Sequence, residues 1–332
     1  MKKAGWLSGL TALLIIVSGC SQNTQGEEVT TWKLNHFSDT GHNWHRTAEF
    51  FAERVEENTD GQVIIDIYPS GQLGDETNTI NSIQYGAIDL TITGETLQNW
   101  TPNAILMATP YAFESQEHMR SIIEGDIGRT IEKDIQDDAG LTPLLYIERS
   151  PRNLTSNFPV HSPEDIQGFD MRVPNVPLFV DVWSEAGANP QLISLSEVFT
   201  ALQQGVIQGQ ENPNDLIQSN GFYEVQDYIN ETEHVRSWIY ITVGNEQMES
   251  LPEDQQQEVL EAAEDAQEFA RDLYEEDVET VENTLREEGV EINEDVDQEA
   301  FREAMIPAIE ENLEPEQQEL YRQILEEGED GS

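Results

Sequence analysis

The chain has 332 residues and a formal charge of −50, from 16 Lys plus Arg against 66 Asp plus Glu. Such acidity excludes ordinary nucleic-acid binding, because a phosphate backbone is repelled rather than traded for counterions, and the sequence offers no basic arm. Length and a 37% hydrophobic content suit about two domains, with cores large enough to need no disulfide or metal staple.

Lys2 and Lys3 precede an apolar run, Ala4 to Gly19, that ends Val17-Ser18-Gly19-Cys20. A charged start, a short apolar segment and small residues before a cysteine follow the pattern of a lipoprotein signal, with Cys20 as the lipidated first residue of the mature chain. At roughly 16 residues the run is short for a membrane span. Residues 1–19 are read as the signal and 20–30 as a polar tether. Cys20 is the single cysteine, so no intrachain disulfide can form. Taking Lys2 and Lys3 from the 16 basic residues leaves 14, namely Lys33, Lys133 and twelve arginines. Excess acid with Arg favoured over Lys fits a halophilic or alkaline exterior. At about 1 M salt the Debye length is roughly 3 Å, so self-repulsion is screened.

Thr31 to Phe37 reads as a strand. From Gly41 to Asn58, Trp44, Ala48, Phe51 and Val55 recur at helical spacing. Gln62 to Tyr68 is strand-like, Pro69-Ser70-Gly71 a turn, Asp75 to Tyr85 a helix and Ile88 to Thr93 a strand. Strand and helix alternating in this way argue for an α/β domain. A second α/β stretch is expected to follow, with strands at Leu141 to Glu148 and Gly168 to Val173, helices at Val176 to Ala186 and Ser194 to Gln204, and an extended Val206 to Gln210. Ser250-Leu251-Pro252-Glu253 has the spacing of a capping box ahead of a long helical pattern, Pro252 to Glu288. A helix of that length, roughly 55 Å, crosses between two domains. The helical stretch from Asp297 is expected to break at Pro307 and Pro315.

Catalytic signatures are missing: no G-x-S-x-G, H-E-x-x-H, phosphate loop or C-x-x-C occurs. His36, His42 and His45 could in principle face a metal, but they read better as surface histidines at a helix start. No metal and no cofactor is expected, and a small-molecule binder is favoured over an enzyme. Positive charge is scarce, so each arginine is informative. Arg149, Arg152 and Arg172 fall in the region joining the two α/β stretches, and Arg172 ends a strand just before Pro174. A guanidinium offers a planar fork to a carboxylate. The plainer reading is that these arginines pair with some of the 66 acids.

Three segments carry a resemblance: Tyr68-Pro69-Ser70-Gly71-Gln72-Leu73-Gly74-Asp75, Gly168-Phe169-Asp170-Met171-Arg172-Val173-Pro174-Asn175, and the run Glu197 to Pro213, which reads EVFTALQQGVIQGQENP. In order and spacing they resemble the DctP-like solute-binding proteins of tripartite ATP-independent periplasmic (TRAP) transporters. The resemblance implies an α/β, two-domain periplasmic-binding-protein (flytrap) fold with a long helix spanning both domains. Domain I would comprise 31–149 and 238–277, and domain II 150–237 and 278–332. It implies a monomer that captures an organic acid and hands it to a membrane permease. Arg172 falls on the family's selectivity arginine, Arg152 on a second arginine, and Asn212 on a carboxylate-binding asparagine. Asp75, Asn175, Glu95 and Phe37 match positions that contact the rest of the ligand. Arg172-Val173-Pro174-Asn175 resembles the sugar-acid and sialic-acid branches, which ranks a sugar acid first, a C4-dicarboxylate next and ectoine last. The alternatives are a binding lipoprotein of an ABC importer or chemoreceptor and, further off, an exported hydrolase.

Overall fold

A computed structural model describes residues 29–331. The signal, Cys20 and nearly all of the tether therefore lie outside the described residues. The described residues begin with strand β1, Thr30–Asn35, followed by α1, Asn43–Asn58, β2, Val63–Tyr68, α2, Glu76–Gln84, and β3, Leu90–Thr93. Helices α3, Gln116–Glu124, and α4, Asp126–Asp134, precede β4, Leu141–Glu148. Then come β5, Arg152–Ser156, β6, Asp170–Val173, α5, Pro177–Glu185, β7, Asn189–Leu192, α6, Leu195–Gln203, and β8, Gly209–Pro213. The last part holds α7, Asn214–Ser219, β9, Tyr228–Val235, β10, Trp238–Gly244, α8, Asn245–Glu249, α9, Glu253–Glu287, β11, Glu291–Asn293, α10, Gln298–Asn312, and α11, Pro315–Gly331.

The strands form two sheets, one in each lobe. The first has the order β2-β1-β3-β10-β4 and the second β11-β9-β5-β8-β6-β7. Both mix parallel and antiparallel pairs: β1 runs parallel to β2 and β3, whereas β10 is antiparallel to β3 and β4. Leu141–Glu148, expected in the second stretch, belongs to the first sheet, where β10 covers its inner edge. The chain crosses between sheets through residues 149–151 and 236–237. These crossings lie side by side, with the Arg149 amide donating to the Ser237 carbonyl at 3.2 Å.

Helix α9 is the third crossing. Its 35 residues span roughly 52 Å. Val259, Ala262, Ala263, Ala266 and Ala270 pack into the core of the first lobe, while Leu285 and Val281 pack with Ile217, Phe222 and Ile229 of the second. Val278 is exposed where the helix passes between the cores. A further apolar cluster runs without a break from Leu97, Leu106 and Phe113 to Met171, Phe179 and Trp183, joining the lobes on the side of the strand crossings.

Two local expectations fail for stated reasons. Ser250 does not cap α9: its hydroxyl donates back to Gln247 O at 2.7 Å, closing α8, and Pro252 takes the cap position. Pro307 sits inside α10 and does not break it. Proline in a helix interior costs about 3 kcal/mol, and burial of Phe301, Met305, Ala308 and Ile309 along the same helix offsets that cost. Pro315 instead starts α11, which turns back onto α3 and the Pro102–Ala108 turn of the first lobe.

Candidate functional site

A cavity of about 800 Å³ lies between the lobes. All seven residues singled out in the sequence, Phe37, Asp75, Glu95, Arg152, Arg172, Asn175 and Asn212, line it. Arg149 lines it too. Their surroundings differ sharply.

Arg172 stands on β6, in register with Gln191 of β7 and Gln210 of β8. Its partner strand can lie this close because residue 209 is glycine: a Cβ there would sit 2.2 Å from the Thr155 carbonyl and 2.6 Å from the Phe169 ring. The arginine is buried, and its Nε donates to Ile193 O at 2.7 Å. Among the described residues it has no carboxylate partner within ion-pair distance. Burial lowers its pKa to about 10; Glu211 opposes the shift and Arg152 adds to it. Its guanidinium feels Glu211, Glu95 and Glu76 at a distance but touches none of them, and the residue lines the cavity.

Arg152 presents the opposite case. Its Nε and Nη2 grip the two oxygens of Glu211 at 2.5 and 2.7 Å, and Nη1 reaches Glu95 Oε1 at 3.0 Å. Nη2 also donates to Asn212 Oδ1 at 3.2 Å, and the guanidinium lies 5.3 Å from the Phe179 ring centroid. Burial alone would raise the Glu211 carboxyl, but Arg152 and the His234 ring hold it at about 2. His234 Nε2 lies 3.0 Å from Glu211 Oε2. The same opposition acts on Glu95. Burial pushes it up, and Arg149, with Nη1 2.7 Å from each of its oxygens, together with Arg152, brings it below the usual range. Arg149 also lies 5.4 Å from the Trp44 ring centroid, and Phe37 packs edge-on against that ring. Arg149, Glu95, Arg152, Glu211 and His234 thus form one buried polar chain, of which the first three line the cavity.

The remaining positions are partly engaged as well. Asn212 donates to Gln210 Oε1 at 2.6 Å while its oxygen accepts from Arg152. Asp75 caps α2, accepting from the Asn78 amide and from Asn78 Nδ2, and is exposed at the rim. Asn175 meets the first lobe: its carbonyl accepts from Asn99 Nδ2 at 3.0 Å, and its side chain lies 3.5 Å from Thr77 Oγ1. The side chain at 195 is aliphatic, so the cavity offers no ring at that point.

Sequence reasoning passed over two features. Glu76, one residue beyond Asp75, also lines the cavity. The signal was present, an acid in the first turn of a helix opening at a turn motif, but it reads equally as a favourable charge for the helix dipole. The histidines are buried rather than on the surface. His36 Nε2 lies 3.0 Å from His45 Nδ1, and burial, with His45 and His42 nearby, lowers His36 to about 3. His42 instead reaches across the lobes to Asp215 at 3.3 Å. Among the described residues no group of three or more metal-ligating side chains is gathered.

Comparison with known proteins gives a consistent result. The sequence profile of the bacterial extracellular solute-binding protein family 7 (DctP) matches residues 34–316. A solute-binding protein of Roseobacter denitrificans is 44% identical over 318 residues, covering 95% of this chain and 98% of that one. A crystal structure of that TRAP periplasmic solute-binding protein, with bound L-galactonate, superposes with a TM-score of 0.87 at 45% identity, covering 90% of this chain and 99% of that one. A TRAP periplasmic solute-binding protein of Chromohalobacter salexigens, with bound D-glucuronate, gives 0.86 at 31% identity, covering 89% and 99%.

Proposed function

The chain belongs to the bacterial extracellular solute-binding protein family 7, the solute-binding component of TRAP transporters, and from that premise we propose that it captures a sugar acid, an aldonate or a hexuronate. The observation that carries this reading is Arg172, a buried arginine with no carboxylate partner among the described residues, at the wall of an interlobe cavity. In a protein with 66 acidic residues such an arginine is conspicuous. A ligand carboxylate would complete it, through charge-assisted hydrogen bonds of about 1.5–3 kcal/mol each. Asn212 adds a neutral donor beside it. The polar groups on the facing wall, Asp75, Glu76 and Thr96, suit a chain of hydroxyls better than an apolar tail. The bound ligands of the relatives, L-galactonate and D-glucuronate, support this choice. Phe37 closes one side of the site, and Arg152 and Glu95 work mainly by holding its floor.

Closure of the lobes over the ligand excludes water from the clamp, so the ligand itself bridges the lobes. The division into 31–149 with 238–277 and 150–237 with 278–314 is part of this proposal, with α11 assigned to the first lobe. The loaded protein would pass its ligand to the TRAP permease, held at the membrane by a lipid on Cys20, and would catalyse nothing. Calorimetric titration with L-galactonate, D-glucuronate, D-galacturonate and succinate tests the reading. Saturable one-to-one binding of at least one sugar acid, tighter than succinate, is the expected result. A preference for succinate, or heat from none of the sugar acids, would refute it.

A further inference from the structure

Helix α5 starts without a cap of its own. Val176 holds the cap position with a side chain that has no oxygen, Pro177 follows with no N–H, and the first turn carries no acid. The first amide left to satisfy belongs to Leu178, a buried residue. Helix starts favour Ser, Thr, Asp or Asn at the cap, so here the acceptor has to come from elsewhere. It comes from the short helical turn after β3, Glu95–Asn99. The Leu178 amide donates to Gln98 Oε1 at 3.4 Å, across 80 positions of sequence. Beside it, Asn99 Nδ2 donates to the Asn175 carbonyl at 3.0 Å.

Both side-chain amides are held ready for that reach. Gln98 Nε2 donates to Glu95 O at 3.0 Å, and Asn99 Nδ2 also donates to Thr96 O at 2.9 Å, each bond running three residues back in the same turn. With Nε2 spent on its own turn, Gln98 has Oε1 left for the helix. The turn is anchored at its start. Glu95 is tied to Arg149 and Arg152, the Thr96 hydroxyl donates to Glu76, and Leu97 is buried. On the other side of the contact, residues 172–178 run from Arg172 in the cavity wall, through Asn175, to Leu178. One end of that segment faces the ligand and the other is gripped by the turn.

We infer that Gln98 and Asn99 are positioning residues, a clasp that holds segment 172–178 against the first lobe and so keeps the lobes closed on a bound acid. Neither is among the residues that line the cavity, so they act on retention and not on recognition. Their bonds join groups of different lobes and break when the lobes part. A ligand enters before the clasp forms and leaves only after it breaks, which puts the effect in the dissociation rate. The inference goes beyond the sugar-acid reading, because a clasp that touches no ligand retains any acid the cavity takes.

Stopped-flow fluorescence on the intact binding protein tests it, with Trp44 in the cavity wall as reporter and L-galactonate, D-glucuronate and succinate as probes. Gln98→Ala and Asn99→Ala should each speed release about three- to tenfold, the worth of one neutral hydrogen bond. The factor should be the same for every probe that binds, with association rates and the order of preference unchanged. Val176→Thr separates a clasp from a plain helix cap, since its hydroxyl replaces a methyl of like size and caps α5 from within its own lobe. Added to Gln98→Ala, it should restore the melting temperature and leave release fast. Release as slow as wild type in both single variants would overturn the inference. So would a return to slow release on adding Val176→Thr, which would make Gln98 a helix cap and nothing more. A factor that differs from probe to probe would also overturn it, by placing the two residues in recognition. A preference for succinate would refute the sugar-acid reading alone, because the factor is read for each probe separately.

Discussion

Arg152 and Arg172 stand two strands apart in the same sheet, at 1% and 4% exposure, and do opposite things. Arg152 is matched donor for acceptor by Glu211, Glu95 and Asn212. Arg172 spends one hydrogen bond on the Ile193 carbonyl and keeps its fork for the cavity. Burial is the same cost in both places. At Arg152 the protein meets that cost itself, and at Arg172 it leaves the compensation to a bound anion. The pair shows that a binding arginine is recognised by what it lacks, since both residues line one cavity and both belong to matching motifs.

The largest expected effect breaks the matched site. Arg152→Ala strands the Glu211 carboxylate and half of the Glu95 pairing in a dry interior, and should lower stability by about 3–5 kcal/mol, as removal of one partner of a buried pair does. Thermal or urea melting of the ligand-free protein measures it. Arg172→Ala should do the reverse. Ligand-free melting should stay level or rise, because a buried charge without a counterion has been removed, while calorimetry records a loss of about 2–5 kcal/mol in binding of a sugar acid. If Arg172→Ala bound like wild type, the distinction between the two arginines would be wrong. Arg172→Lys should recover only part, since an ammonium lacks the planar fork. A smaller loss, about 1–3 kcal/mol of affinity, is expected for Asn212→Ala, a neutral donor.

Acid sharpens the comparison. Glu211 is held at about 2 against an ordinary 4.5, so it contributes stability that is complete above pH 4.5 and is lost as pH falls towards 2. Melting profiles between pH 2 and 6 should therefore show an acid limb in the wild type and in Arg172→Ala. That limb should be weakened in Glu211→Gln; an unchanged limb would remove Glu211 from the account. The smallest discrimination comes from salt. Melting temperature should rise between about 0.1 and 2 M NaCl as repulsion among exposed acids is screened. The rise should be equal in wild type and Arg172→Ala, because buried pairs are screened far less. A flat or falling curve would count against the halophilic reading.

How much of this was legible beforehand depends on where side-chain periodicity survives. The run from β1 to β3 could be read because each element has one wet face: β2 alternates, and α1 buries Trp44, Ala48, Phe51 and Val55 at helical spacing. Strand β5 could not. Arg152-Asn153-Leu154-Thr155-Ser156 is buried at every position and polar at four of five, a composition that reads as loop until its partners are known. Strand β10 is buried throughout, so nothing in it alternates. Helices α3 and α4 were passed over although both are amphipathic. The site was legible through the family resemblance, which pointed to seven residues that line one cavity. It did not tell which arginine was already paired, because Glu211 lies 59 positions from Arg152, and only the register of β5 against β8 brings the two together.

The strand order of the first lobe has a consequence for how the protein is made. Strand β10, from residues 238–244, fills the slot between β3 and β4, whose residues leave the ribosome far earlier. Until that segment arrives, the edges of β3 and β4 that it covers lack their native partner. The strands β5 to β9 of the second lobe, by contrast, are contiguous in sequence. Pairing across so long an interval is slow, because the loop must close before any contact rewards it. The sheet of the first lobe is therefore completed only once residues 238–244 have been made.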